Sequence, residues 1–121
     1  MFFNLLVLGL INVVASQHCG GIPGSEVKDF LSVHNDLRAK ISSGHYYAKG
    51  HKMPAAYRAI PPLKWDCGLE REAQQYADRC QFQHSQNRHD EGENLYMFSS
   101  TGGVHMTGQA KAASGAWKHE L

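Results

Sequence analysis

Cys67 and Cys80 stand thirteen positions apart, and the stretch "GLEREAQQYADR" between them has the period of an amphipathic helix. Leu69, Ala73, Tyr76, Ala77 and Cys80 fall on one stripe of it. A helix rises about 1.5 Å per residue, so it would hold the two sulfurs on the order of 20 Å apart, far beyond disulfide reach. Cys19 completes the set of three cysteines and can pair with at most one of them. The remaining thiol is either free or needs a partner that these residues do not supply.

Disulfides matter because the chain carries an export address. "MFFNLLVLGLINVVA" is almost wholly apolar, interrupted by Asn4 and Asn12. It is shorter than the roughly 20 apolar residues that span a bilayer. Val13 and Ala15 are small enough for a cleavage site, so residues 1–15 read as a signal peptide and 16–121 as the mature chain. The mature chain then has no integral membrane segment. No Asn-x-Ser/Thr sequon is present. The mature part is room for one domain. Apolar content of 42% suits a globular fold, and a formal charge of +1 gives no argument for nucleic acid.

"SEVKDFLSVHNDLRAKI" reads as a first helix, with Val27, Phe30, Leu31, His34, Leu37, Arg38 and Ile41 on one face, Ser25 as cap and Gly44 just past its end. Pro54, Pro61 and Pro62 make 44–63 a long loop. Asp66 caps the second helix, with Glu70 and Glu72 near its positive end. "ENLYMF" reads as a buried strand and "QAKAASGAWKHEL" as a third helix. One strand cannot make a sheet, so this α+β order lacks its sheet partners.

The eight histidines sort unevenly. His18 and His45 read as solvated, His34 as a hydrogen-bonded residue on an apolar face, and His51, His89 and His105 as loop positions without partners. His84 follows the second helix, Glu93 opens the apolar run, and Glu120 stands three residues after Trp117. One imidazole and two carboxylates suit zinc or another divalent cation, although from spacing alone a solvated surface position is the favoured reading of each. No Gly-x-Ser-x-Gly is present, and "TGGVHMTG" lacks the Lys-Ser/Thr ending of a phosphate loop. Lys118-His119-Glu120-Leu121 partly matches an endoplasmic-reticulum retention tail, and His119-Glu120 is half of a zinc-protease motif.

"FLSVHNDLR", "PLKWDCGLEREAQQYADRCQFQHS", "GENLY" and "WKHEL", in that order, resemble the CAP superfamily of cysteine-rich secretory, antigen-five and pathogenesis-related proteins. The nearest likeness is to venom-allergen-like and activation-associated secreted proteins of invertebrates. The resemblance implies an α-β-α sandwich, here incomplete at its C-terminal end, so that 16–121 is the N-terminal part of a single CAP domain. It also implies a metal-binding cleft of two histidines and two glutamates. His84 matches the first histidine, Glu93 the first glutamate and Glu120 the second, while the second histidine belongs to a later block that the chain does not reach. Trp117 to Leu121 then read as part of a cleft helix rather than a retention tail. Cys19, Cys67 and Cys80 become disulfide candidates, with further cysteines expected downstream. The implied function is that of a secreted interaction or host-modulating protein whose partner is an extracellular protein or lipid. A sterol or fatty-acid carrier is the alternative, and a metal-dependent hydrolase is disfavoured because no nucleophile is evident.

The leader generates a direct test: N-terminal sequencing of the exported protein should begin near Ser16, within two residues, and not at Met1.

Overall fold

The computed structural model describes residues 18–103 and 107–121. The leader and His105 lie outside them. The elements are helix α1 (Gly24–Ser42), strands β1 (Tyr47–Ala48) and β2 (His51–Lys52), helix α2 (Cys67–Ala77) and helix α3 (Gln109–His119).

α1 starts earlier than its Ser25 cap suggests. Pro23, at φ −54° and ψ 139°, takes the N-cap position. Its carbonyl accepts from the amides of Glu26 at 2.9 Å and Val27 at 3.1 Å. A proline holds the chain near the helix entry angle without needing a side-chain cap. The far end closes as a Schellman turn, with Gly44 donating to Ile41 and His45 to Lys40. Gly44 has φ +72°, and a Cβ there would meet the backbone nitrogen of Ala55 at 3.0 Å. Both facts require glycine at this position.

The expected loop holds a small antiparallel hairpin, in which Tyr47 faces Lys52 and Ala48 faces His51. Lys49 and Gly50 have φ of 49° and 82°, the two positive values of a type I′ turn. Beyond it the chain runs back along α1. Ile60 donates to Ser42 Oγ at 2.8 Å, and Arg38 Nε donates to the Pro61 carbonyl at 2.8 Å. Asn35 accepts from the Leu63 amide at 2.6 Å and donates to its carbonyl at 3.1 Å. The prolines that prevent a helix here leave carbonyls for α1 side chains to take.

α2 begins as the sequence indicates, with Asp66 Oδ1 accepting from the Leu69 amide at 2.9 Å. It ends at Ala77 instead of reaching Cys80, which sits at φ 53° in the turn that follows. Cys67 bonds to Cys19, with a Cα separation of 5.6 Å, and Cys80 is an exposed free thiol. The two cysteines flanking the second helix are therefore not paired to each other. In a loop-closure account, a crosslink spanning 48 residues disfavours the unfolded chain by about 4 kcal/mol.

The stretch 93–98 departs from expectation. It forms no strand among the described residues. Met97 and Phe98 are more than half exposed, at 65% and 54%. A strand needs a neighbour for its backbone groups, and none of the described residues pairs with it.

α3 packs on α1 through Val27, Ala110 and Ala113, each nearly inaccessible to solvent, and through the buried Ser114. Small side chains let the two helices approach closely. Gly108, at φ 83°, opens α3 and offers no side chain to cap it. Glu26 does so from α1. Its two carboxylate oxygens accept from the Gly108 and Ala110 amides, each at 2.7 Å. These donors, with Lys111 nearby, hold the Glu26 carboxyl below its usual range against the opposing effect of burial. Lys111 Nζ stands 3.5 Å from Asp29, a second and more exposed link between the helices.

Replacing Glu26 with Ala leaves those two amides without their carboxylate. Amide exchange at Gly108 and Ala110 should speed up about tenfold or more, and the melting temperature should fall by several degrees. The direction with pH follows from the lowered carboxyl. The contribution of Glu26 is present at neutral pH and is lost as acid drives the folded-state carboxyl to protonate. Paired melts of the wild type and Glu26→Ala across acid pH should therefore converge.

Candidate functional site

The turn that follows α2 brings His84 and Glu93 together. The Tyr76 hydroxyl on α2 donates to the Gln83 carbonyl and pins the start of this turn. His84 Nδ1 then lies 2.8 Å from Glu93 Oε1, and the Ser85 amide donates to the same oxygen at 2.9 Å. The Ser85 side chain also bonds the carboxylate. With His84 beside it, the Glu93 carboxyl is lowered to about 2, the Ser85 hydrogen bonds being the largest cause.

That ionised state fixes the imidazole. An ionised carboxylate can only accept, so Nδ1 of His84 carries the proton it donates. In the neutral ring Nε2 is then the nitrogen with the free lone pair, the form in which histidine binds metals. The His84 side chain is 57% exposed and that of Glu93 is 19% exposed, so the imidazole faces solvent while the carboxylate beside it is more sheltered.

α3 is anchored close by in the chain. Trp117 Nε1 donates to the Leu95 carbonyl at 2.9 Å, two residues beyond Glu93. Phe30 stacks between two tryptophans, with ring centroids 5.8 Å from Trp65 and 6.3 Å from Trp117. His34 lies tilted against Trp117 at 6.3 Å and is back-bonded at 2.8 Å to the Phe30 carbonyl, as expected of a histidine on that face. Trp65 Nε1 in turn donates to Glu70 at 2.6 Å.

Glu120 caps the end of α3 and is exposed. Among the described residues no three His, Cys, Asp or Glu side chains are gathered closely enough to hold a metal ion. The structure thus brings together two of the three expected ligands and not the third. One oriented imidazole fits a divalent cation as a ligand, while the pair alone does not make a full coordination shell.

Glu70 was not among the expected site residues, yet it is one of the most enclosed side chains described. It is buried in the first turn of α2 and accepts from the Ile22 amide at 2.9 Å as well as from Trp65. These bonds lower its carboxyl, that from Trp65 most. The signal present in the sequence was a glutamate five residues after a tryptophan at a helix start, which read simply as a dipole effect.

The sequence profile of the cysteine-rich secretory protein (CAP) family matches residues 31–121. Among curated proteins, venom allergen 5 of Microctonus hyperodae is 39% identical over 75 residues, covering 59% of this chain and 32% of that protein. The Ancylostoma secreted protein of Ancylostoma caninum is 34% identical over 112 residues, covering 88% of this chain and 26% of its own length. The venom allergen 3 homolog of Dinoponera quadriceps is 33% identical over 87 residues, covering 68% and 37%. The chain spans about a third of the length of these relatives. No solved structure matches it significantly.

The hydrogen bonds at Glu93 can be read in solution. Its carboxyl carbon should titrate by nuclear magnetic resonance with a midpoint of about 2. Ser85→Ala keeps the amide but removes the hydroxyl, and should raise that midpoint. Because the folded-state carboxyl is lowered, the pair stabilises the fold above the ordinary carboxylate range and ceases to do so as pH falls toward 2.

Proposed function

Because the chain belongs to the cysteine-rich secretory protein family and is venom-allergen-like, we propose that it is an extracellular interaction protein whose cleft holds a divalent cation through His84. The apolar leader and the Cys19–Cys67 disulfide support export, since disulfides persist in oxidising compartments. Among the described residues no helix is long and apolar enough to cross a membrane.

The observation that carries the metal reading is the hydrogen bond between His84 Nδ1 and a carboxylate held ionised by Ser85. A histidine ligand normally donates its second ring nitrogen to such a group, which fixes the tautomer and raises ligand basicity. In this reading His84 binds the ion and Glu93 orients His84, while Glu120, exposed at the end of α3, is not gathered with them. The ion serves to organise the cleft. A metal-dependent hydrolase is the less favoured reading, since the sequence offers no evident nucleophile.

Zinc titrations by calorimetry decide the matter. His84→Ala should lose at least about tenfold in affinity, and Glu93→Gln about tenfold to a hundredfold, the range for loss of an orienting partner. Affinity should also fall in acid, since metal ligands bind in their deprotonated forms. Zinc binding that is unchanged in His84→Ala would remove this reading, whatever the behaviour of Glu120→Gln.

A further inference from the structure

The near-neutral charge of the chain conceals a separation. From residue 37 to residue 65 there is no Asp or Glu, although the chain has 11 of them. The same stretch holds six of its 12 Lys and Arg: Arg38, Lys40, Lys49, Lys52, Arg58 and Lys64. All but Arg38 are exposed. Among the described residues the ion pairs are His84 with Glu93 and Lys111 with Asp29, so none of these six cations is neutralised by a carboxylate.

The fold holds these charges in one region. Arg38 and Lys40 occupy the last turns of α1, and the Schellman turn at Gly44 leads directly into the hairpin. Its I′ turn puts Lys49 at the tip, and Lys52 ends β2. The returning loop, which carries Arg58 and ends at Lys64, is tied back to α1 through Ser42, Arg38 and Asn35. The backbone of the patch is therefore ordered before any partner arrives, which lowers the cost of binding. Two tyrosines stand among the cations, Tyr47 at 61% and Tyr57 at 98% exposure.

We propose that residues 38–64 form a docking face for a sulfated glycosaminoglycan. Several cations without a carboxylate partner, on a segment that itself carries no Asp or Glu, complement a linear polyanion, and exposed tyrosine rings offer flat faces to sugar rings. A membrane is the poorer fit. Interfacial binding needs apolar anchors such as Trp, Phe or Leu beside the cations, and across 38–64 the one exposed residue among Trp, Phe, Leu, Ile and Val is Leu63, at 42%. A nucleic acid shares the charge of the glycan, and the choice between them rests on the extracellular reading above. The face itself is separate from His84 and Glu93, so the test is run with chelator present and its failure does not bear on the cleft.

The probe is a size-defined heparin oligosaccharide, titrated by calorimetry against the full chain in EDTA. Affinity should fall roughly tenfold to a hundredfold between 50 and 200 mM salt, as counterion release requires for a few neutralised anions. Lys49→Ser/Lys52→Ser/Arg58→Ser should lose at least about tenfold. Arg71→Ser/Arg88→Ser/Lys118→Ser removes the same charge elsewhere and should bind within about twofold of the wild type, as counterion release depends on local contacts. Acetylation footprinting of the wild type needs no variant to fold, and heparin should shield Lys49 and Lys52 while leaving Lys118 reactive. Equal losses in the two triple variants would overturn the proposal, as would a footprint that spares Lys49 and Lys52. So would tighter binding to phosphatidylserine vesicles or to single-stranded DNA than to heparin.

Discussion

The Glu26 carboxylate holds the first and third helices in register, and much of the described structure follows from it. Gly108 begins α3 in a left-handed conformation and brings no capping side chain, so the positive end of that helix would otherwise be open. Glu26 reaches it from 82 residues away with one oxygen for each of two amides. The apolar contact beneath is small, being Val27 against Ala110 and Ala113. Hydrophobic burial scales with area, so side chains of this size do little alone to choose one helix placement among several. A bidentate, charge-assisted cap has strict geometry and makes that choice.

The same device recurs. Glu70 accepts from the Ile22 amide and ties the N-terminal segment to α2, alongside the Cys19–Cys67 bond. Glu93 accepts from the Ser85 amide and closes the turn after α2. All three carboxyls are held below their ordinary range chiefly by hydrogen bonds rather than by opposite charge. Acid therefore acts on all three staples in the same sense, and each depends on backbone donors that only the fold brings within reach.

Much of the helical content was legible in the sequence. Asp66 capping Leu69 and the 3.6-residue stripe of α2 are local features, written within one turn of each other. The hairpin was not legible, since two-residue strands leave no alternating pattern and Lys49-Gly50 lacks the Asn-Gly signal of a I′ turn. The short end of α2 was missed because the stripe continues to Cys80 while the backbone turns after Ala77. The roles of Glu26 and Glu70 could not be read at all. A glutamate in the first turn of a helix reads as a dipole partner, and nothing nearby says that backbone donors reach it from 48 to 84 residues away. His84 and Glu93 were found by family likeness, and their spacing alone did not separate them from solvated charges.

The aromatic line joins these staples to the candidate site. Glu70 fixes Trp65, Trp65 stacks on Phe30, Phe30 stacks on Trp117, and Trp117 holds the Leu95 carbonyl next to the segment that begins with Glu93. Phe30 lies one turn beyond Glu26 on α1, so the helix that caps α3 also carries the central ring of this line. Rings of this size have few rotamers and lose little freedom on packing, so they pass on position well. His84 and Glu93 sit on a turn without helix or strand of its own, yet that turn is bounded by Tyr76 on one side and by Trp117 on the other. An exposed imidazole on such a turn would ordinarily be one solvated histidine among eight. What distinguishes it is that its partner carboxylate is fixed at both ends of the turn by contacts that have nothing to do with the histidine. The orientation of Nε2 is thus set in advance by the fold, as the proposed role of His84 requires.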